Sequence, residues 1–159
     1  MALTNDELRH LIRRLTDFSD RYDQIGTDYR KALHDYGTGE LYTPTEVHMV
    51  TRIEENPGIT AVKIAEDTFR TKSAVSQMLS KLEGKGLIYK EKDPGNGKQQ
   101  LLYVTAKGRH LSLCHKAYDE AQTAIPLREM VDQFGADAIE SYLAISEHII
   151  RFYLNQKSK

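Results

Sequence analysis

The stretch Thr71–Leu82 has the residue types to contact a nucleic acid along one side of a helix. At the helical period of about 3.6 residues, its apolar side chains share one face, namely Ala74, Val75, Met78, Leu79 and Leu82. The other face is polar and positive, with Thr71, Lys72, Ser73, Ser76, Gln77, Ser80 and Lys81. Hydroxyl and amide groups hydrogen-bond base edges in a major groove, and lysines bind phosphates. We therefore predict a DNA-contacting helix, with bases read by Ser73, Ser76 and Gln77 and phosphates held by Lys72 and Lys81.

Charge is distributed unevenly along the chain. The whole sequence carries 22 Lys and Arg residues against 23 Asp and Glu residues. Residues 60–107 hold nine basic and five acidic residues, whereas the rest of the chain holds 13 basic and 18 acidic ones. This distribution favours a positive surface confined to one part of the molecule, although clustering of this size also arises by chance.

Three side chains have the types and spacing to share a metal ion. His115 and Asp119 are four residues apart, so a helix would place both on one face, and His48 lies near the start of another predicted helix. The alternative is a hydrogen-bonded histidine at a junction between helices. The single cysteine, Cys114, excludes an internal disulfide, and its place on an apolar stripe favours a core residue over a redox sensor.

The sequence contains no recognisable catalytic arrangement. It lacks the HExxH and GxSxG motifs, and the segment Gly95–Gln99 lacks the spacing and the Ser or Thr of a phosphate-binding loop. Cys114 and His115 are neighbours, and neighbouring side chains in a helix point about 100° apart, which disfavours a catalytic dyad. We therefore expect a protein that is not an enzyme and requires no cofactor.

Long apolar stripes at both ends of the chain predict helices that need a partner. The first stripe recurs every three or four positions from Asp6 to Tyr36, and the last runs from Ala136 to Leu154. A helix over residues 106–124, ended or kinked by Pro126, precedes the last stripe. Because so short a chain cannot bury both stripes within itself, we expect residues 6–36 and 136–154 to be dimerisation helices.

The middle of the chain predicts a helix-turn-helix. A capping box over residues 43–46, with Pro44 at the first helical position, starts a helix that runs to about Glu55. A short helix follows over residues 61–67, and the side chains that we expect to face inward are Val62, Ile64 and Ala65. This helix and the one over residues 71–82 together make the helix-turn-helix.

A β-hairpin, or wing, is predicted directly after this unit. Gly86 is placed to end the preceding helix in a left-handed conformation. Leu87–Glu91 and Leu101–Val104 read as strands, joined by the turn-rich segment Asp93–Lys98. The lysines that could reach an adjacent minor groove are Lys90, Lys92 and Lys98. The alternative is an ordinary solvated hairpin.

This order of elements resembles the MarR family of bacterial transcription regulators. The resemblance rests on SAVSQMLSKLEGKGLI (Ser73–Ile88), on the turn-rich wing, and on LLYVTAKG (Leu101–Gly108), which is similar to the family's hydrophobic-Leu-Thr-x-x-Gly signature. It implies a mainly α fold with a small β-hairpin wing, in a single domain over residues 1–159 with the winged helix-turn-helix at residues 43–105.

The wing departs from the family pattern at its tip. Asn96-Gly97-Lys98 stands where the family commonly has Asp-x-Arg or Asp-Arg-Arg. Lysine is only a point charge, whereas arginine suits a narrow minor groove, so we expect a weak wing contact.

We therefore expect a sequence-specific DNA-binding transcription regulator, a repressor that acts as a homodimer on a roughly palindromic operator. The resemblance implies modulation by a small ligand, with an effector pocket near Phe18, Tyr22, Tyr29 and His48, although aromatic stripes are more often core. The alternatives are a zinc-responsive regulator that uses His48, His115 and Asp119, a non-specific architectural DNA-binding protein, and a winged helix used for protein contacts. The charged N-terminus and the absence of a long apolar run lead us to expect a cytoplasmic protein without a signal peptide.

Overall fold

Eleven helices and strands follow one another along residues 3–157, the part of the chain that this computed structural model describes. In chain order they are α1 (Asn5–Lys31), β1 (His34–Asp35), β2 (Leu41–Tyr42), α2 (Pro44–Glu55), β3 (Ile59–Thr60), α3 (Ala61–Thr68), α4 (Lys72–Gly84), β4 (Ile88–Asp93), β5 (Asn96–Val104), α5 (Ala106–Phe134) and α6 (Ala136–Lys157). The chain divides into two compact units, Met1–His115 and Lys116–Lys159, and the winged helix-turn-helix lies in the first. Within the described residues, no helix combines the length and the apolarity that crossing a bilayer requires.

Five of the described helices begin with a threonine cap. In each, the threonine hydroxyl accepts a hydrogen bond from the backbone N–H three residues further on. These threonines are Thr4, Thr43, Thr60, Thr71 and Thr105. In α1 and α2 a glutamate completes a capping box, namely Glu7 and Glu46. Such a cap stabilises a helix by on the order of 1 kcal/mol. The predicted starts of α2, α3 and α4 are therefore confirmed.

In the core of the first unit, the apolar faces of α2, α3 and α4 pack together and against the neighbouring sheet. Its fully buried side chains include Val47, Val50, Ile53, Ile64, Val75, Leu79, Leu82, Leu87, Ile88, Leu102 and Leu111. Burying each such side chain contributes roughly 1.5–3 kcal/mol. Because Val75, Leu79 and Leu82 pack inward, the opposite face of α4 is held outward.

A three-stranded antiparallel sheet has the order β3–β5–β4. The short strand β3, which the sequence did not predict, pairs Ile59 with Leu102. In the hairpin, Asp93 pairs with Asn96, so the turn is tighter than the predicted segment over residues 93–98. Lys98 consequently lies in β5 rather than in the turn.

The junction between α4, β4 and α5 is closed by backbone contacts. Gly86 has a positive φ of 68°, which confirms the predicted left-handed cap. The Leu87 N–H then donates to the Leu82 carbonyl at 3.0 Å. Thr105 donates its backbone N–H to the Leu87 carbonyl at 3.0 Å and its hydroxyl to the Gly86 carbonyl at 2.7 Å. The Val104-Thr105-x-x-Gly108 segment therefore fixes where α5 starts relative to α4.

The predicted ends of three helices are wrong. Helix α1 ends at Lys31 rather than Tyr36, because Ala32 is extended and Tyr36, which is only 4% exposed, belongs to the core. Helix α5 continues through Pro126 and ends at Phe134, directly before Gly135, which has a positive φ of 83°. The helix continues because a proline removes only one backbone hydrogen bond, and the helical turns on either side of Pro126 are kept. Helix α6 also extends beyond the predicted end at Leu154, to Lys157.

Some predicted inward positions are exposed. Val62 is 48% exposed, because it lies two residues, or about 200° of helix, before the buried Ile64. Ala74 is also exposed, since the inner side of α4 centres on Val75. On α5, the apolar side chain of Ile125 is exposed, whereas the polar side chains of Ser112 and His115 are buried.

Candidate nucleic-acid interface

Helix α4 presents its polar side to solvent, as the sequence predicts. The exposed residues include Thr71, Lys72, Ser73, Ser76, Gln77, Ser80 and Lys81. The Thr71 hydroxyl caps the helix by accepting from the Ala74 N–H at 3.2 Å and lies 3.1 Å from the Ser73 hydroxyl. The other polar groups project from the middle of a helix whose opposite side is anchored in the core. Short side chains of this kind can approach base edges closely.

An ion-pair network that the sequence did not predict holds the C-terminal end of α4. The Glu46 side chain is 0% exposed, and its Oε1 lies 3.2 Å from the Lys81 Nζ and 2.6 Å from the Lys85 Nζ. Its Oε2 accepts from the Thr43 N–H at 2.8 Å and from the Thr43 hydroxyl at 3.1 Å. Burial raises the pKa of Glu46, but Lys85, the Thr43 N–H and Lys81 together lower it more, to about 2.

A second network lies beside the first. The Tyr42 hydroxyl donates to Glu40 at 2.7 Å, and the Lys107 Nζ donates to the same carboxylate at 2.9 Å. The bonds from Lys107 and from Tyr42 lower the pKa of Glu40, while burial and the Glu40 bond raise the pKa of Tyr42. The Lys85 Nζ lies 5.0 Å from the centre of the Tyr42 ring. These contacts tie the last turn of α4 to β2 and to the start of α5.

The signal for this arrangement was present in the sequence but incomplete. In the sequence, Glu46 is recognisable as part of a capping box, but no local pattern marks Lys85 as its partner. Lys81 lies on α4 and Lys85 directly follows the helix, four residues later, so the two share a face and need a counter-charge from elsewhere. The spacing alone does not indicate which acid supplies it.

The wing lysines have different surroundings. Lys92 and Lys98 are exposed, and Lys98 lines an open cleft of about 580 Å³ together with Thr60, Ala61, Val62, Asn96, Gln99 and Gln100. Lys90 lies instead against α4, where its Nζ is 2.6 Å from Glu83. Lys92 and Lys98 are therefore the wing lysines that can reach outward.

Two of the three predicted metal ligands are in contact. The rings of His48 and His115 stack with centroids 4.9 Å apart. His48 is exposed and His115 is buried, and Asp119 follows His115 by one turn of α5. An imidazole pair with a carboxylate on the same helical face is a donor set that suits zinc.

A row of aromatic rings extends from this histidine pair. His115 lies 5.2 Å from Tyr36, Tyr36 lies 6.0 Å from His34, and His34 lies 5.1 Å from Tyr29, measured between ring centroids. His34 and Tyr36 were missed as neighbours of this group, because the sequence pattern placed them at the end of α1.

Two of the four predicted pocket residues, Phe18 and His48, line separate cavities. Phe18 stacks on Tyr22 at 5.7 Å and lines a groove of about 400 Å³ along α1. His48 lines a cavity of about 230 Å³, with Arg30, Thr45, Met49, Arg52, Thr68 and Arg70. Tyr29 is connected to His48 through the row of rings. The cavity at His48 has three guanidinium groups in its lining, which favours an anionic ligand.

Comparison with known proteins identifies relatives among transcription regulators. A model of the MarR family matches residues 42–99. The chain is 29% identical over 96 residues to the uncharacterised HTH-type transcriptional regulator YhjH of Bacillus subtilis, covering 60% of this chain and 55% of that protein. It is 28% identical over 91 residues to the transcriptional regulator HosA of Escherichia coli O111:H-, covering 57% of this chain and 61% of that protein. The chain thus spans less than two thirds of the length of these relatives.

Solved structures share the fold at low sequence identity. The MarR family transcription regulator SP03579 superposes with a TM-score of 0.74 at 16% identity, covering 97% of both chains. FabT of Streptococcus pneumoniae, solved in complex with DNA, gives a TM-score of 0.65 at 19% identity and covers 93% of this chain and 98% of its own. The zinc-responsive ZitR of Lactococcus lactis gives a TM-score of 0.67 at 21% identity and covers 88% of this chain and 99% of its own.

The matched segment runs from β2 to the middle of β5, and it contains the helix that presents the polar face. Over residues 42–99 the chain is therefore similar to the MarR family, and its fold is the winged helix-turn-helix of solved structures from that family.

Proposed function

We propose that this regulator binds DNA in a sequence-specific manner through α4 and the β4–β5 wing. The observation that carries the proposal is the outward polar face of α4, which is exposed while Val75, Leu79 and Leu82 anchor the helix. Ser73, Ser76 and Gln77 read base edges in the major groove, and phosphates are held by Thr71, Lys72, Ser80 and Lys81. Lys92 and Lys98 reach the adjacent minor groove or its backbone. Solved DNA complexes of FabT and ZitR, which share the fold, support this assignment.

The regulator acts as a homodimer on a roughly palindromic operator. Support comes from the apolar stripe of α1, since no residue of this fully described helix is buried and Leu8, Leu11, Ile12, Leu15, Phe18, Tyr22 and Ile25 are all exposed. Helix α6 likewise exposes Tyr142, Leu143, Ile149 and Ile150. Apolar faces of this extent are typical of interfaces. Two-fold symmetry of the protein then requires matching half-sites in the DNA.

A small ligand modulates binding, and its release or uptake controls repression. The cavity at His48 is the better candidate than the groove at Phe18, because its lining includes three arginines that would hold an anion. A ligand favours one arrangement of the two winged lobes only as far as its affinity differs between the arrangements. A dimer seated on its operator excludes other proteins from that DNA, which makes repression the simplest outcome.

The test is to select DNA fragments from random sequence with the purified protein and to sequence them. A roughly palindromic motif with half-sites about one helical turn apart is the expected result. Uniform recovery of all sequences would contradict the proposal and would instead support an architectural DNA-binding protein. Recovery of no DNA would favour a winged helix that contacts proteins.

The stacked pair His48 and His115 favours a second candidate, a zinc-responsive regulator of the same fold. His48, His115 and Asp119 would be its ligands, and neutral imidazoles with one carboxylate suit a zinc ion. Titration with zinc should then change operator affinity, and His48→Ala should remove the response. An operator affinity that zinc leaves unchanged would exclude this candidate.

A further inference from the structure

We propose that Glu46 is a positioning residue that makes DNA binding more selective, by holding Lys81 and Lys85 at the end of α4. This inference rests on the proposed DNA-binding function. The buried carboxylate lies on α2, away from the exposed polar face, and it has no direct role in contacting bases or phosphates.

The geometry fixes the carboxylate first. Its Oε2 is held by the N–H and the hydroxyl of Thr43, so the side chain is locked to the start of α2. Its Oε1 then binds Lys81, from the last turn of α4, and Lys85, which directly follows the helix. The fully buried carboxylate of Glu46 thereby fixes the position of the end of α4 relative to α2.

The two lysines are not equivalent. Lys85 is the closer partner at 2.6 Å, and its side chain is 34% exposed. Lys81 lies at 3.2 Å and is 54% exposed. Because a buried carboxylate without a counter-charge is costly, Lys85 stays with Glu46. Lys81 can exchange the carboxylate for a phosphate when α4 is seated in a groove.

Selectivity follows from this competition. On random DNA, α4 is not seated, and Glu46 retains both lysines, so the helix end adds little to general phosphate attraction. On an operator, the seated helix brings a phosphate to Lys81. The ion pair therefore lowers non-specific binding more than it lowers operator binding.

The test compares Glu46→Gln with a matched control, Glu40→Gln. Glutamine can keep the capping box, since Glu and Gln serve equally at that position, but it cannot neutralise Lys81 and Lys85. Glu40→Gln removes the same charge from the neighbouring network and leaves Glu46 with both lysines. Affinity is measured on the selected operator and on random DNA over a range of salt concentrations.

The expected result for Glu46→Gln is tighter binding to random DNA and a lower ratio of operator to random affinity. The salt dependence on random DNA should steepen by up to about 0.9 in log–log slope for each lysine released. Glu40→Gln should change binding to both DNAs alike. The inference is overturned if Glu46→Gln matches this control, or if it weakens both DNAs equally, as a purely structural defect would.

A DNA-free measurement separates this inference from the proposed function. Thermal unfolding of Glu46→Gln, Lys85→Met and the double variant should show a double shift smaller than the sum of the single shifts. Additive shifts would show that Glu46 and Lys85 do not stabilise each other, and this result would overturn the inference however the wild type binds DNA. Coupled shifts in a protein that does not prefer any DNA sequence would instead overturn the proposed function, and the selectivity role would fall with it.

Discussion

Gly108 lies directly against the carbonyl group of Leu87. A Cβ atom built at position 108 would be 2.0 Å from the Leu87 oxygen, far inside van der Waals contact. That carbonyl also accepts from the Thr105 N–H, so it cannot move without losing the junction that fixes α5 to the end of α4. The glycine of the Val104-Thr105-x-x-Gly108 segment is therefore required by a backbone contact.

Gly108→Ala should destabilise the protein even though alanine favours helices. The clash with the Leu87 carbonyl should cost about 1–3 kcal/mol or more, against at most about 1 kcal/mol gained from helix propensity. Chemical denaturation measures the difference. Gly84→Ala is the matched control, because it also lies in a helix and nothing lies within 4 Å of its added Cβ. A Gly108→Ala protein as stable as the control would contradict the close contact.

Gln77→Ala should relax the preference at one base pair in each half-site, at a cost of roughly 1–3 kcal/mol there. Gln77 is exposed at the middle of α4, where a helix reaches base edges. Lys72→Ala, at the start of the same helix, should weaken operator and random DNA alike and reduce the salt slope by about 1. Fluorescence titration with operator variants distinguishes the two. Identical behaviour of both variants would show that the assignment of base and phosphate contacts is wrong.

Lys98→Arg should tighten operator binding, most of all on sites with A-tracts under the wing, because a guanidinium suits a narrow minor groove. Lys98 is exposed on β5 and lines the cleft beside α3. Lys90→Arg is the control, since Lys90 is paired with Glu83 at 2.6 Å and should give no gain. Lys98→Ala should cost less than Lys72→Ala. The opposite order would make the wing the main anchor.

Glu46 should make stability depend on pH in the acid range. The pKa of Glu46 is about 2 in the folded protein, below the ordinary value of 4.5. The stabilising effect of the ionised carboxylate is therefore complete above pH 4.5. The effect is lost as the pH falls from about 4.5 towards 2, because protonation removes the charge that Lys81 and Lys85 bind. The difference in melting temperature between wild type and Glu46→Gln should shrink over this interval. A difference that stays constant with pH would contradict the ion pairs.

Sedimentation equilibrium at micromolar concentration should give twice the chain mass of 18.2 kDa. Leu15→Asp should convert the dimer to a monomer, because it places a charge in the apolar stripe of α1. Leu41→Asp is the control, since Leu41 is 56% exposed and Leu15 61% exposed, but Leu41 lies in the short strand β2 outside the stripe. A monomeric wild type, or a dimer unaffected by Leu15→Asp, would contradict dimerisation through α1.

Local signals allowed much of the winged helix-turn-helix to be predicted. The Thr43 capping box, the Gly86 cap and the alternation of polar and apolar residues on α4 depend on neighbours within about one helical turn. The polar face of α4 was predicted for the same reason, because the burial of Val75, Leu79 and Leu82 leaves the other side outward. Such patterns act over a few residues and can be read from the sequence directly.

Contacts between residues far apart in the sequence decided the rest. Helix α1 ends at Lys31 because Tyr36 is buried beside His115, a residue that the apolar pattern of α1 does not indicate. The strand β3 exists because β5 supplies its hydrogen-bonding partner. Glu46 contacts Lys81 and Lys85 only when α2 and α4 pack together. The sequence contains many other acidic residues that could equally have paired with those lysines. The sequence by itself therefore determined which faces are apolar and where helices begin, while the tertiary structure decided which buried charges and rings meet, because that choice depends on the packing of distant elements.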